Sequence, residues 1–384
     1  MHPAQISSTA AASPTSANPE YVSRIQLHTS VPSPSPIKQI DGVQILRAVA
    51  VTQVAWTHSF QQFGQYGTAG LPTFGIVGID IFFVISGFII SSIVLHSRQA
   101  PGPRCSGQFL KRRFIRIYPI YWIYAAVGLL RLVHNGSIYR ANYIPAFFLV
   151  PWPKFAFIYG LTWTLMFELM FYFTVGILLL WTVRWAIPTV VTLFGILGLF
   201  GCIRPPTATF WILPTNPMLL EFVFGAILAL LFRRFGRQRL IGIPFLILGI
   251  AGIVFLQYHQ PPGAYSMAQI LTGEHVGPRP FTWGVASALL VSGMVFWSPQ
   301  IRSRLGLLAV VIGNASYSAY LASTPLLEFT YRGLAKLVPP RFPLGLPITL
   351  LYSCGITFAV LLVGWLSYQF LEWPLVRRLQ RLTA

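Results

Sequence analysis

The sequence predicts an all-α, polytopic integral membrane protein, because its composition and its hydropathy pattern both call for an apolar solvent. Of its 384 residues, 55% are hydrophobic and only 9% are charged. A soluble globule of this composition would expose large apolar patches. Long apolar stretches recur along the chain and have the length that an α-helix needs to cross a bilayer. The bilayer is therefore the expected solvent.

About ten stretches of roughly 17–25 mostly apolar residues could each span about 30 Å of hydrocarbon at 1.5 Å per residue. They lie near residues 43–60, 74–97, 117–133, 160–183, 187–203, 217–232, 241–258, 281–297, 306–330 and 346–371. The aromatic stretch 143–158 is not counted, because Pro145, Pro151 and Pro153 interrupt it. It is predicted to be a re-entrant or interfacial segment.

The net charge of +19 comes mainly from short basic clusters between the apolar stretches. Lys and Arg in membrane proteins concentrate in cytoplasmic loops. Placing both termini in the cytoplasm puts most of the 27 basic residues on that side and leaves the remainder, including Arg279, outside. The pattern predicts cytoplasmic N- and C-termini, and no nucleic-acid partner is expected.

The two ends of the chain differ in composition from its apolar middle. Residues 1–38 are rich in Ala, Ser, Pro and Thr, which predicts a disordered cytoplasmic tail without a cleavable signal peptide. The transmembrane domain is predicted over 39–376, followed by a short basic cytoplasmic tail at 377–384, with no fused extracellular domain. Neither a disulfide framework nor a metal site is predicted from the three cysteines, Cys105, Cys202 and Cys354.

Five ionisable residues fall inside the predicted spans, all toward the outer ends: His58, Asp80, Glu168, Glu221 and Glu328. A charge near the bilayer centre costs about 2.5–3.5 kcal/mol, so such a residue needs a partner, a water-filled cavity or a function. Glu221 and Glu328 are equally consistent with carboxylates that reach the interface. For the other three, the surrounding motifs favour a function.

Arg47 and His58 lie eleven residues apart on the first predicted helix. Helical geometry puts them on nearly the same face, about 16 Å apart along the axis. Arg47 is near the cytoplasmic end, and such a face would line a path from a cytoplasmic donor to an external acceptor. A histidine that only hydrogen-bonds to a neighbouring helix is the alternative interpretation.

A second basic cluster, residues 111–116, is predicted to lie in the short loop before the third span. If this segment is helical, Arg113 and Arg116 share a face, as phosphate recognition requires. A topology anchor or a contact with lipid headgroups is the more common role of such a cluster. Both interpretations stay open at this point.

Several short blocks of the sequence, taken together, resemble the motifs of one known protein family. The first contains Arg47, ten intervening residues and His58, and the second, at 78–88, reads Gly-Ile-Asp-Ile-Phe-Phe-Val-Ile-Ser-Gly-Phe. Further blocks follow at 113–116, 163–172, 313–321 and 372–374. Over roughly residues 38–376 the chain resembles the acyltransferase-3 family of integral membrane acyltransferases. Many members carry a histidine where this chain has Ser323, so no role of that histidine is transferred.

The resemblance implies an O-acyltransferase, usually an acetyltransferase, of the bacterial inner membrane. The implied donor substrate is cytoplasmic acyl-coenzyme A, and no resident cofactor is expected. The implied acceptor is a hydroxyl of a cell-surface polysaccharide or of a lipid-linked glycan. Membrane lipids are the remaining expected partners, and the oligomeric state is not predicted.

The resemblance also implies roles for individual residues. His58 would be the general base, because imidazole has an unperturbed pKa of about 6.5, and Asp80 or Glu168 would orient it. The predicted acyl-coenzyme A ligands are Arg47, Arg113 and Arg116. The predicted acceptor-binding residues are Trp163, Tyr172 and Tyr317, although an interfacial aromatic belt also explains such residues.

The principal alternative is a proton-coupled transporter or flippase for a glycan or lipid precursor. In that case the intramembrane carboxylates and the histidine would form a proton relay. No internal repeat is evident in the sequence, which disfavours an inverted-repeat transporter. A lipid-binding scaffold is a third class, but it gives no reason for the spacing between Arg47 and His58.

Overall fold

The structure, a computed structural model, describes residues 40–61, 77–136, 143–150, 157–205, 209–259, 267–273, 276–337 and 345–382. Regular structure within these ranges is helical throughout, as predicted. The α-helices are α1 Asp41–Gln61, α2 Val77–Leu95, α3 Pro103–His134, α4 Ile144–Phe147, α5 Trp163–Leu178, α6 Ala186–Ile203, α7 Thr209–Ile212, α8 Leu219–Phe235, α9 Arg239–His259, α10 Met267–Thr272, α11 Val285–Trp297, α12 Arg304–Asn314, α13 Ser316–Leu337, α14 Leu346–Ser367 and α15 Trp373–Leu382. The shorter helical turns are 3-10 at Gly160–Thr162 and π-helical at Pro280–Gly284 and Tyr368–Glu372.

Seven helical segments in the described ranges are long and apolar enough to cross a membrane, and the bent pair α12–α13 would add an eighth. These segments support a multi-pass membrane protein. A helix occupies each of the ten predicted windows, but α1 carries several charged or polar residues and α8 has only 17 residues. The count of ten spans and the cytoplasmic placement of both termini stay predictions.

The window 306–330 is not one straight span. Helix α12 ends at Asn314, α13 begins at Ser316, and the two helices meet at a bend of 71°. Just before the bend, Gly313 packs so closely against α1 that any side chain there would overlap the carbonyl group of Gln44. Gly and Asn are residues at which helices commonly end.

The prediction that residues 111–116 lie in a loop before the third span is also wrong. Helix α3 begins at Pro103, so the basic residues 111–116 lie on a helix that continues to His134. Pro is favoured in the first turn of a helix, where its missing N–H group has no intrahelical acceptor. Arg113 and Arg116 therefore share a face, as the helical alternative requires.

The predicted tails and the stretch 143–158 are described only in part. Residues 1–39 lie outside the described residues, and the helical chain continues through the predicted basic tail to Leu382. Within 143–158, residues 151–156 are not described. Side chains of α3 donate hydrogen bonds to this segment. The hydroxyl of Tyr118 donates to the carbonyl of Phe148 at 2.9 Å, and the ring N–H of Trp122 donates to the carbonyl of Phe147 at 3.1 Å. The described part of this stretch therefore packs against α3.

Helix α2 packs closely against α8. A side chain at Gly87 would overlap the carbonyl group of Phe222, and one at Gly225 would overlap the carbonyl group of Val84. Small residues such as glycine commonly permit this close approach of two membrane helices. Phe83 stacks on Phe222 at this contact, with ring centroids 4.7 Å apart. The contact holds α2 in the interior, where it forms one wall of the site described next.

Candidate functional site

A cavity of about 100 Å³ lies among α1, α2, α3, α5 and α13. Six of the nine residues that the sequence analysis singled out line it: Arg47, Arg113, Arg116, Glu168, Tyr172 and Tyr317. They come from four helices that are far apart in sequence. Apolar side chains complete the walls, together with hydroxyl groups of Ser and Thr.

The three arginines approach the cavity from two helices. Arg47 lies on α1, where its Nη1 donates to the side chain of Gln44 at 3.1 Å. Arg113 and Arg116 are one turn apart on α3, and the guanidinium of Arg113 lies 5.9 Å from the ring centroid of Phe109. The Nε atom of Arg113 is buried and makes no hydrogen bond with the described residues. Fork-shaped donors in this number suit an anion such as phosphate.

Glu168 on α5 is the acidic member of the cavity wall. Its Oε1 accepts a hydrogen bond from the hydroxyl of Tyr172, one turn further along the same helix. The hydroxyl of Ser86 on α2 donates to the same oxygen at 3.4 Å. With three guanidinium groups and one carboxylate, the lining carries an excess of positive charge. An anionic ligand is therefore favoured over a cationic one.

Two tyrosines of α13 reach the cavity and hydrogen-bond to neighbouring helices. The hydroxyl of Tyr317 donates to the carbonyl of Ile117 at 2.8 Å. The hydroxyl of Tyr320 donates to the carbonyl of Leu161 at 2.7 Å and lies 2.9 Å from Oγ1 of Thr164. Tyr320 and Thr164 were not singled out from the sequence, although both lie in the blocks that carry the resemblance. These bonds fix the second half of the bent pair against α3 and α5.

Glu372 is a further residue that the sequence analysis did not assign to the site. It closes the π-helical turn before α15, is buried, and accepts a hydrogen bond of 2.6 Å from the hydroxyl of Ser318. Its carboxylate is near enough to Arg47 and Arg116 to interact electrostatically with both. Single π-helical turns occur frequently at functional sites. The sequence signal for this residue was the terminal Glu-x-Pro block.

His58 occupies the last turn of α1, is half-buried, and is not among the residues that line the cavity. Its eleven-residue spacing on a continuous helix places it about 16 Å from Arg47 along the axis. The sequence predicts Glu168 at the outer end of its helix, apart from the basic residues. That separation is wrong for Glu168, which shares the cavity with all three arginines.

Asp80 has a partner that the sequence analysis did not identify. Its two carboxylate oxygens accept hydrogen bonds from Nε and Nη2 of Arg279 at 3.1 and 2.7 Å, and both side chains are fully buried. Arg279 was counted from the sequence as a basic residue on the outer side. Charge counting cannot reveal a pairing between residues 199 positions apart. Asp80 does not line the cavity.

Trp163 also lies outside the cavity lining. Its side chain is 2% exposed, and its ring packs edge-on against Phe83 and Phe167 at centroid distances of 6.2 and 5.7 Å. This position favours a packing role over the predicted contact with an acceptor. Tyr172 and Tyr317 are the two predicted acceptor-binding residues that the cavity exposes to a ligand.

The sequence profile of the family described as "Acyltransferase domain" matches residues 40–369. This range contains the cavity and all nine residues singled out from the sequence. The chain belongs to the acyltransferase-3 family. Ser323, which stands where many acyltransferase-3 members have a histidine, is buried and donates to the carbonyl of Tyr320 at 2.6 Å.

Two curated relatives are similar to this acyltransferase. It is 30% identical over 331 residues to the "Exopolysaccharide production protein ExoZ" of Rhizobium meliloti (strain 1021), with 81% of this chain and 93% of that protein aligned. It is 33% identical over 82 residues to "Protein 2 in picA locus" of Rhizobium radiobacter, with 21% of this chain and 38% of that protein aligned. No solved structure shows significant similarity to the chain.

Proposed function

We propose that this membrane acyltransferase is an O-acetyltransferase of the bacterial inner membrane. It moves an acetyl group from cytoplasmic acetyl-coenzyme A to a hydroxyl of an exopolysaccharide or of its lipid-linked precursor. The arrangement of Arg47, Arg113 and Arg116 around one cavity is the observation that carries the proposal. The printed name of the relative from Rhizobium meliloti supports the class of acceptor.

The donor site follows from the charge of coenzyme A, which carries several phosphate groups. Guanidinium groups bind phosphate oxygens through parallel, charge-assisted hydrogen bonds, and they stay charged at any physiological pH. Arg113 and Arg116 offer two such groups one helical turn apart, and Arg47 adds a third from the facing helix. We assign the phosphates of the donor to these arginines.

The acceptor hydroxyl is a weak nucleophile near neutral pH and needs a base. In the proposed step its oxygen attacks the thioester carbonyl carbon while its proton passes to the imidazole of His58. The carbon–sulfur bond then breaks, and the coenzyme A thiolate leaves and takes up the proton from the imidazolium of His58, which restores the base. Coenzyme A is a long molecule with its thiol far from its phosphates, which suits the separation of about 16 Å between Arg47 and His58.

Glu168 and Tyr172 are assigned to the part of the donor site between the phosphates and His58. Their hydrogen bond, together with the one from Ser86, holds a carboxylate and two hydroxyl groups in the wall between α2 and α5. Tyr317 contributes a further polar group to the same cavity. In the proposal Tyr172 and Tyr317 contact the donor between its phosphates and its acyl end, and the acyl end itself lies nearer to His58.

The direct test uses the purified full-length protein in phospholipid nanodiscs with acetyl-coenzyme A labelled in the acetyl group. We expect transfer of label to an acceptor glycan, or slow release of acetate without one, and deletion of the gene should remove alkali-labile acetyl groups from the exopolysaccharide. In liposomes, accumulation of a glycan or lipid precursor without acetyl turnover would instead support the transporter. Unchanged acetylation after deletion would reject the proposed function.

A further inference from the structure

The ion pair between Asp80 and Arg279 joins two parts of the chain in the protein interior. Asp80 lies in the first turn of α2, and Arg279 directly precedes the π-helical turn Pro280–Gly284 that leads into α11. Both side chains are 0% exposed, and both oxygens of Asp80 are used in the pair, at 3.1 and 2.7 Å. The carboxylate therefore faces Arg279 and not the acyltransferase cavity.

The segment that carries Arg279 is itself held by hydrogen bonds. The backbone N–H of Arg279 donates to the carbonyl of Val276 at 2.9 Å, and the hydroxyl of Thr282 lies 3.1 Å from the carbonyl oxygens of both Pro278 and Arg279. The guanidinium group is thus presented from a fixed backbone. A bidentate contact from such a backbone fixes the position and the orientation of its partner.

A second carboxyl group lies beside the pair. Glu221, in the first turn of α8, is 0% exposed and interacts electrostatically with both Asp80 and Arg279. Its Oε1 and Oε2 atoms accept no hydrogen bond from the described residues, and its side chain packs against Gly284. Arg279 therefore makes its bidentate contact with Asp80, and Glu221 is a neighbouring member of the same buried cluster.

Helix α2 connects Asp80 with the wall of the acyltransferase cavity. Phe82, Phe83 and Ser86 follow Asp80 within two turns and line that cavity. The hydroxyl of Ser86 donates to Glu168, and the neighbouring Gly87 packs against the backbone of α8. A displacement of the start of α2 would move these groups together, because a helix transmits displacement along its axis as a stiff element.

We propose that Arg279 and Asp80 form a positioning pair that fixes α2 and, through it, the contact between Ser86 and Glu168. In this assignment Asp80 does not orient His58 and takes no part in proton transfer. The effect on catalysis depends on the proposed function, whereas the pairing itself can be measured without it. Removing one partner of a buried pair leaves an uncompensated charge, while replacing both is tolerated far better.

A double-mutant cycle tests the pair with the full-length protein in detergent and in nanodiscs. The variants are Asp80→Asn, Arg279→Gln and the double variant, with Arg279→Lys and the reversed pair Asp80→Arg/Arg279→Asp as rescue variants. We expect each single neutral variant to lower kcat for acetyl transfer at least about tenfold, and the double variant to recover most of that loss. Arg279→Lys should retain an intermediate rate, because a lysine keeps the charge but not the bidentate geometry.

Thermal midpoints of the same variants should show the same coupling. A double variant that folds like wild type but is as inactive as Asp80→Asn would overturn the proposal, because a catalytic carboxylate is not rescued by removing its partner. Failure of both double variants to fold better than the single variants would also overturn it. If the thermal midpoints of the variants are coupled but the wild-type protein transfers no acetyl group, the pairing is supported and the proposed function is rejected.

Discussion

The hydroxyl of Tyr172 donates a hydrogen bond to the carboxylate of Glu168, and both groups face the cavity that holds the three arginines. The ring of Tyr172 also packs edge-on against Phe109, at a centroid distance of 6.5 Å. The hydroxyl group and the ring can therefore be tested separately. Removal of the hydroxyl alone leaves the packing in place.

Tyr172→Phe should lower the rate of acetyl transfer about tenfold, the effect of losing one hydrogen bond to a charged group. The thermal midpoint in detergent should change little, because the ring is kept. Tyr118→Phe is the matched control, since its hydroxyl donates to the carbonyl of Phe148 outside the cavity. Equal losses in the two variants would remove Tyr172 from the site.

Arg113→Gln should weaken binding of coenzyme A about 10-fold to 100-fold, because it removes a charge-assisted contact to phosphate. Calorimetry with the protein in nanodiscs measures the affinity, and the loss should shrink at high salt. Arg112→Gln is the control, because Arg112 is exposed on the same helix and does not line the cavity. Unchanged affinity in Arg113→Gln would return this residue to the role of a topology anchor.

His58→Ala should reduce acetyl transfer about 100-fold to 10,000-fold, the usual contribution of a general base. Membrane insertion and thermal midpoint should be preserved, since the side chain lies in the last turn of α1. His96→Ala serves for comparison, because His96 is exposed at the end of α2. The measurement is release of acetate from the polysaccharide by mild alkali, and near-normal release from His58→Ala would reject its role as the base.

Gly87→Ala should destabilise the protein by about 1–3 kcal/mol, because the added methyl group would overlap the carbonyl group of Phe222 and force α2 away from α8. Gly107→Ala is the matched control, since a methyl group there would have no neighbour within 4 Å. It should be neutral or stabilise α3 by up to about 1 kcal/mol. Thermal unfolding in detergent distinguishes them, and a neutral Gly87→Ala would contradict the close packing of these helices.

The fold class could be predicted from the sequence because helix length and hydropathy are local properties of the chain. The shared face of Arg113 and Arg116 could also be predicted, since residues three apart are neighbours on a helix. The same local reasoning failed at residue 315, where close packing of Gly313 against α1 accompanies a bend that hydropathy does not indicate. It also failed at Pro103, where a predicted loop is helical.

The sequence by itself determined the membrane-protein class, the family and six of the residues that line the cavity. Only the tertiary structure decided that Glu168 lies with the arginines, that Trp163 is packed among phenylalanines, and that Asp80 belongs to Arg279. The physical reason is the range of the interactions. Helix formation and hydropathy depend on neighbours within a few turns, whereas a buried ion pair depends on how helices distant in sequence pack together.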